Sequence, residues 1–117
     1  MKDRISITML EDGIADVRLI RADKMNALDA EMWSALAEAI DELKAKQGLR
    51  VVVLSGEGRA FCAGLDLSSL SAERDPGASS AGGTLSDRTR GLSNNAQYAA
   101  WGWRELPVPV IAAVHGV

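Results

Sequence analysis

Val51-Val52-Val53-Leu54 runs through Ser55-Gly56-Glu57 into Gly58-Arg59-Ala60-Phe61-Cys62-Ala63-Gly64-Leu65-Asp66-Leu67. An apolar run without alternation predicts a strand covered on both faces, and hence a parallel sheet with helices against it. Gly64 falls where the backbone must turn sharply. That turn frees the next amide, Leu65 N–H, to face a ligand. Asp66 suits the cap of a short helix over Leu67-Ser68-Ser69-Leu70. A strand, a glycine turn and a helix N-terminus together make a corner that stabilises anions with donors fixed in place. The tripeptide Gly64-Leu65-Asp66 alone reads first as an ordinary strand–turn–helix connection, with Gly for the turn and Asp for the cap.

Upstream, Arg4 to Leu10 alternates, with Ile5, Ile7 and Met9 on one face. Glu11-Asp12-Gly13 reads as a turn, and Ile14 to Ile20 alternates again with Val17 and Leu19 in phase. The two runs predict an antiparallel hairpin. A polar connection, Arg21 to Leu28, leads to Asp29. Its carboxylate can accept the free first-turn amides of a helix, with Glu31 suiting the dipole. Met32, Trp33, Leu36, Ile40 and Leu43 recur at helical spacing. Lys44 and Lys46 favour the C-terminal end, and Gly48 is a natural stop.

Downstream, Ser71 to Gly91 holds almost nothing large and apolar, which predicts a long mobile loop over 71–91. Leu92 to Leu106 then predicts a helix carrying Tyr98, Trp101 and Trp103, ended by Pro107 and Pro109. Val110-Ile111-Ala112-Ala113-Val114 predicts a second buried strand. The order is therefore β-β-α-β, loop, α-β, an α/β arrangement with right-handed parallel crossovers. A buried-type strand with no helix to cover it leaves a bare edge. On this ground the chain reads as the front part of a larger fold.

The chain has 117 residues, 47% hydrophobic and 25% charged, which fits one small globular domain rather than a disordered tail. A formal net charge of -3 weighs against a nucleic-acid partner. The single cysteine, Cys62, excludes an internal disulfide and fits a reducing compartment. Met1-Lys2-Asp3-Arg4 leads straight into a strand pattern, and no apolar run is long enough to span a bilayer. The expected setting is cytoplasmic, without a membrane partner. One Cys and one His make no closed zinc site, so no metal is expected. Gly56-Glu57-Gly58 lacks the third glycine of a dinucleotide fingerprint. A thiol nucleophile at Cys62 would need His115 as its base. Cys62 reads better as a small buried apolar residue, and His115 as a locally bonded strand end. Trp33, Trp101 and Trp103 read as packing residues.

Three blocks, taken in order, resemble the enoyl-CoA hydratase/isomerase (crotonase) family. They are Lys24-Met25-Asn26-Ala27-Leu28, Gly58 to Leu67, and Pro109-Val110-Ile111-Ala112-Ala113-Val114-His115-Gly116. The resemblance covers essentially the whole chain. It implies a ClpP/crotonase-like spiral of β-β-α units, cut after the second core parallel strand, with residues 1–117 forming the N-terminal part of a single domain. It implies an acyl-CoA substrate, no dissociable cofactor beyond the coenzyme A of that thioester, and a homotrimer or homohexamer.

The same resemblance makes Leu65 N–H one donor of an oxyanion hole for a thioester enolate. It places Lys24 and Met25 at the nucleotide end of CoA, and Ala63, Gly64, Leu65, Asp66 and Leu67 around pantetheine and thioester. Asn26 is expected to hold its loop through side-chain-to-backbone bonds. Where members commonly have Arg-Pro, this chain has Arg21-Ala22. The second oxyanion donor and the acid/base side chains of the family follow the His-Gly segment. They are expected beyond Val117, so residues 1–117 alone are expected not to turn over. A non-catalytic protein that binds CoA esters or another subunit is the alternative.

Overall fold

The computed structural model describes residues 1, 3–68, 88, 90–91 and 93–116. The alternating runs form β1 (Ile5–Met9) and β2 (Ile14–Leu19), antiparallel with Ile5 opposite Leu19 and Met9 opposite Ala15. Their turn, Glu11–Gly13, is a single 3₁₀ turn. Ile5, Ala15, Val17 and Leu19 are buried, whereas Met9 at the far end of β1 is exposed.

Helix α1 (Ala30–Ala45) follows, with Asp29 as its N-cap: the carboxylate accepts from Met32 N–H at 2.9 Å. Its buried stripe is Met32, Ala35, Leu36, Ala39, Ile40 and Leu43. The two alanines belong to the stripe although their size hides them in a pattern of large residues. Trp33 lies at its margin, half-buried.

β3 (Val51–Gly56) is parallel to both neighbours, β2 and β4 (Val110–Ala112), in a four-stranded sheet ordered β1-β2-β3-β4. The parallel pairing is as expected; the covering is not. Val52 and Leu54 are buried on the helix side, but Val51 and Val53 are only half-buried, so β3 is not sealed on both faces by the described residues. The strand expected from Val110 onward forms and stands, among the described residues, at the bare edge expected of it. β4 has one neighbour among the described residues, β3, and Ile111 within it is 56% exposed.

α2 (Asn95–Arg104) is shorter than the span expected from Leu92 to Leu106. A reciprocal cap starts it: Asn94 Oδ1 accepts from Gln97 N–H, and Gln97 Oε1 accepts from Asn94 N–H. Tyr98 and Trp103 face the core, while Trp101 is exposed beneath Arg104. Gly102 is explained by contact: a Cβ there would lie 2.7 Å from Ile40 Cδ1 and 2.9 Å from the Tyr98 ring. The glycine lets α2 press onto α1, at some loss of helix propensity. The loop expected over 71–91 lies outside the described residues, apart from Arg88, Arg90 and Gly91, as do Ser69 and Leu70 of the short helix.

Candidate functional site

After β2 the chain enters a 3₁₀ turn, Ala22–Lys24, and then places two successive non-glycine residues in the left-handed region, Met25 at φ 51° and Asn26 at φ 57°. Asparagine tolerates that conformation better than most residues. Its side chain here compensates any strain. Asn26 Oδ1 accepts from Arg21 N–H at 2.8 Å, and its Nδ2 donates to the carbonyls of Glu57, Ala60 and Phe61 at 3.0, 3.0 and 3.1 Å. The residue is fully buried. The expected loop-holding role is met, and it extends across to the second block.

The two blocks then zip together. Ala63 N–H donates to Met25 O at 2.9 Å, Leu28 N–H to Gly64 O at 2.7 Å, and Asp66 N–H to Leu28 O at 3.1 Å. Leu28 and Leu65 form an isolated parallel bridge. In such a bridge one residue makes both bonds, and its partner's own N–H and C=O point the other way. Leu28 makes both bonds here. The Gly64–Leu65 peptide is planar and trans, so a Gly64 carbonyl fixed on Leu28 turns Leu65 N–H to the opposite side. That amide has no hydrogen-bond partner among the described residues. Gly64 itself sits at φ +93°, and a Cβ there would meet nothing within 4 Å. Glycine is needed for the turn, not for space.

Asp66 is buried and takes two partners. Its Oδ1 accepts from Ser68 N–H at 3.0 Å and from the Ser68 hydroxyl, and its Oδ2 accepts from Arg21 Nη1 at 2.7 Å. Leu67 and Ser68 are helical, as expected for residues beyond a cap. The Ser68 bonds, then the Arg21 guanidinium, hold the Asp66 carboxyl far below the usual carboxylate range. Asp29 is held low as well, first by Arg4 and further by Met32 N–H and Arg21. The sequence reading missed the Arg21–Asp66 pair. The partners stand 45 residues apart, and no local spacing connects them.

Of the predicted site residues, Met25, Ala63, Gly64, Leu65 and Asp66 come together in this corner. Lys24 is exposed at its rim, without a side-chain partner among the described residues, and Leu67 is exposed. Cys62 and His115 do not pair. The Cys62 thiol donates to Asn26 O at 3.3 Å, and His115 Nε2 lies 2.9 Å from Gly58 O.

An apolar cavity of about 220 Å³ lies beside the corner, lined among others by Leu28, Phe61, Cys62, Trp33 and Trp103. Leu65 itself is 49% exposed and does not line it. Among the described residues no group of three His, Cys, Asp or Glu side chains can hold a metal, and no helix is long and apolar enough to cross a membrane.

The family model "Enoyl-CoA hydratase/isomerase" matches residues 9–117. Among curated proteins, the mitochondrial Δ(3,5)-Δ(2,4)-dienoyl-CoA isomerase of Mus musculus is 29% identical over 97% of this chain and 35% of its own length. The 1,2-epoxyphenylacetyl-CoA isomerase of Escherichia coli K12 is 30% identical over 95% of this chain and 40% of its own length. The solved structure of an enoyl-CoA hydratase from Mycobacterium smegmatis superposes with a TM-score of 0.73 at 32% identity, covering 96% of this chain and 40% of that one. The chain thus spans 35–40% of the length of these relatives.

Proposed function

The chain belongs to the enoyl-CoA hydratase/isomerase family, and from that premise we propose that it supplies one side of an acyl-CoA site, with Leu65 N–H as a donor to the thioester oxygen. The carbonyl gains negative charge as an enolate forms, and an amide aimed beforehand stabilises that charge without reorganising. One such donor is worth on the order of 10²–10³ in rate. The observation that carries the reading is the Leu65 amide itself, turned outward by the Gly64–Leu28 bond and left without a partner among the described residues.

In this reading Ala63, Gly64, Asp66 and Leu67 surround the pantetheine and thioester. Lys24 and Met25 meet the nucleotide end, with the exposed Lys24 ammonium as a mobile point charge for phosphate. The acyl chain enters the apolar cavity beside Phe61 and Cys62. The reaction is of hydratase or isomerase type, in a cytoplasmic trimer or hexamer. Residues 1–117 alone bind but do not turn over. The corner's carboxylate, Asp66, is committed to Arg21 and Ser68 rather than available as a base.

The test is a titration of ¹⁵N-labelled protein with hexanoyl-CoA and, separately, with its thioether analogue S-hexyl-CoA. The Leu65 amide proton is expected to move downfield with the thioester and not with the thioether. An unmoved Leu65 resonance at saturation refutes the reading. Hydration of an enoyl-CoA by purified 1–117 refutes the claim that this part is inactive alone.

A further inference from the structure

We propose that Arg21 is the positioning residue of this corner: its guanidinium clamps the two segments on either side of the Leu28–Leu65 bridge and so fixes the direction of Leu65 N–H. The inference rests on the acyl-thioester reading for its functional meaning, though not for its geometry. Arg21 Nη1 donates both to Ala27 O at 3.0 Å and to Asp66 Oδ2 at 2.7 Å. Ala27 immediately precedes Leu28, and Asp66 immediately follows Leu65. One nitrogen therefore ties the two segments together a single residue from the pair that orients the amide. Nη2 reaches Asp29 Oδ2 at 3.4 Å, which anchors the guanidinium to the N-cap of α1. Arg4 shares that anchor, with Nη2 at 2.8 Å from Asp29 Oδ2 and Nε at 3.2 Å from Oδ1. The backbone N–H of Arg21 is meanwhile held by Asn26.

Stability is a weak explanation for this arrangement. The Arg21 and Asp66 side chains are only 13% and 10% exposed, and a buried ion pair seldom stabilises more than apolar residues of the same volume. A planar fork with donors in fixed directions does supply geometry. A lysine in its place keeps the charge but has no rigid fork with which to bind Ala27 O, Asp66 and Asp29 together.

The experiment compares wild type with Arg21→Lys, by calorimetric titration with hexanoyl-CoA and S-hexyl-CoA. Wild type is expected to prefer the thioester by about tenfold, the size of one well-made hydrogen bond. In Arg21→Lys that preference is expected to fall to near unity, with S-hexyl-CoA affinity changed by less than about twofold. A merely structural loss weakens both ligands together. The second measurement needs no ligand. Exchange protection of Leu28 N–H, the amide bonded to Gly64 O, is expected to drop about tenfold in the variant, with α1 amides unaffected. Asp66→Asn opens the same clamp from the other side and is expected to reproduce the drop should Arg21→Lys fold poorly.

A retained thioester preference together with unchanged Leu28 protection overturns the inference. If wild type shows no thioester preference, the oxyanion reading falls. The Leu28 measurement then still decides whether Arg21 braces the corner.

Discussion

Ile40 and Asn26 are both 0% exposed, yet they are buried in opposite ways. Ile40 lies among Met32, Leu36, Leu43, Tyr98 and the strand residues Val17 and Val52 in one apolar cluster. Attraction there is non-directional and scales with the area removed from water. Asn26 lies among carbonyls and an amide, each at hydrogen-bond distance, on a backbone that most residues adopt reluctantly. The first region can be repacked by any side chains of the right volume. The second specifies direction, and direction is what an exposed donor at Leu65 requires.

The largest expected effect lies in the apolar layer. Ile40→Ala is expected to lower stability by about 4 kcal/mol in urea unfolding, because α1 and α2 meet there and cannot close the gap. The loss should be global, with every protected amide falling together. Asn26→Ala comes next, at about 3 kcal/mol, since it strands the buried Ala60 carbonyl and the Arg21 N–H and removes the bonds to the Glu57 and Phe61 carbonyls. Hydrogen exchange sharpens the contrast: Leu28, Ala63 and Asp66 amides lose protection first, while those of α1 keep theirs. Equal loss across both regions would erase the distinction between them.

Gly64→Ala is expected to cost about 1–2 kcal/mol from the backbone angle alone, since no atom lies where its methyl group would go. A circular dichroism melt measures it; a stabilising substitution there would show that the turn is not held at positive φ. Asp29 and Asp66 shape the acid limb. Their folded-state pKa values lie below the unfolded value of about 4, so their stabilisation is complete above about pH 4 and is lost as pH falls through the folded values. Asp66→Asn should flatten that limb, and an unchanged slope would remove Asp66 from the account. The smallest effect on folding is that of Lys24→Ala, within about 0.5 kcal/mol. On the proposed reading the same variant should weaken CoA-ester binding in titration and leave the apolar cavity beside Phe61 unchanged.

The contrast also explains what was legible in the sequence. Alternation gave away β1 and β2, helical spacing gave away α1, and Asp29 announced the start of that helix, because burial writes a period into the chain. Periodicity does not count layers. The runs at Val51 and Val110 look alike, yet among the described residues one strand is central and the other lies at the edge. In the corner, Gly64 and Asp66 were readable from local chemistry. The Arg21–Asp66 clamp was not, because a bond between residues so far apart is set by the fold and leaves no local trace. Ala35, Ala39 and Gly102 were missed for a related reason: they matter for the room they leave.

The group on which this corner turns belongs to the main chain. Leu65 can be exchanged for many side chains without altering the N–H that its peptide presents, so Leu65→Ala would report a tolerant position even though Gly64 and Asp66 on either side of it are not. Only replacing that amide by an ester, through protein semisynthesis, deletes the donor and leaves every side chain in place. A mutational map of this region would show its framework, Asn26 and Arg21, as sensitive, and the atom they serve as silent.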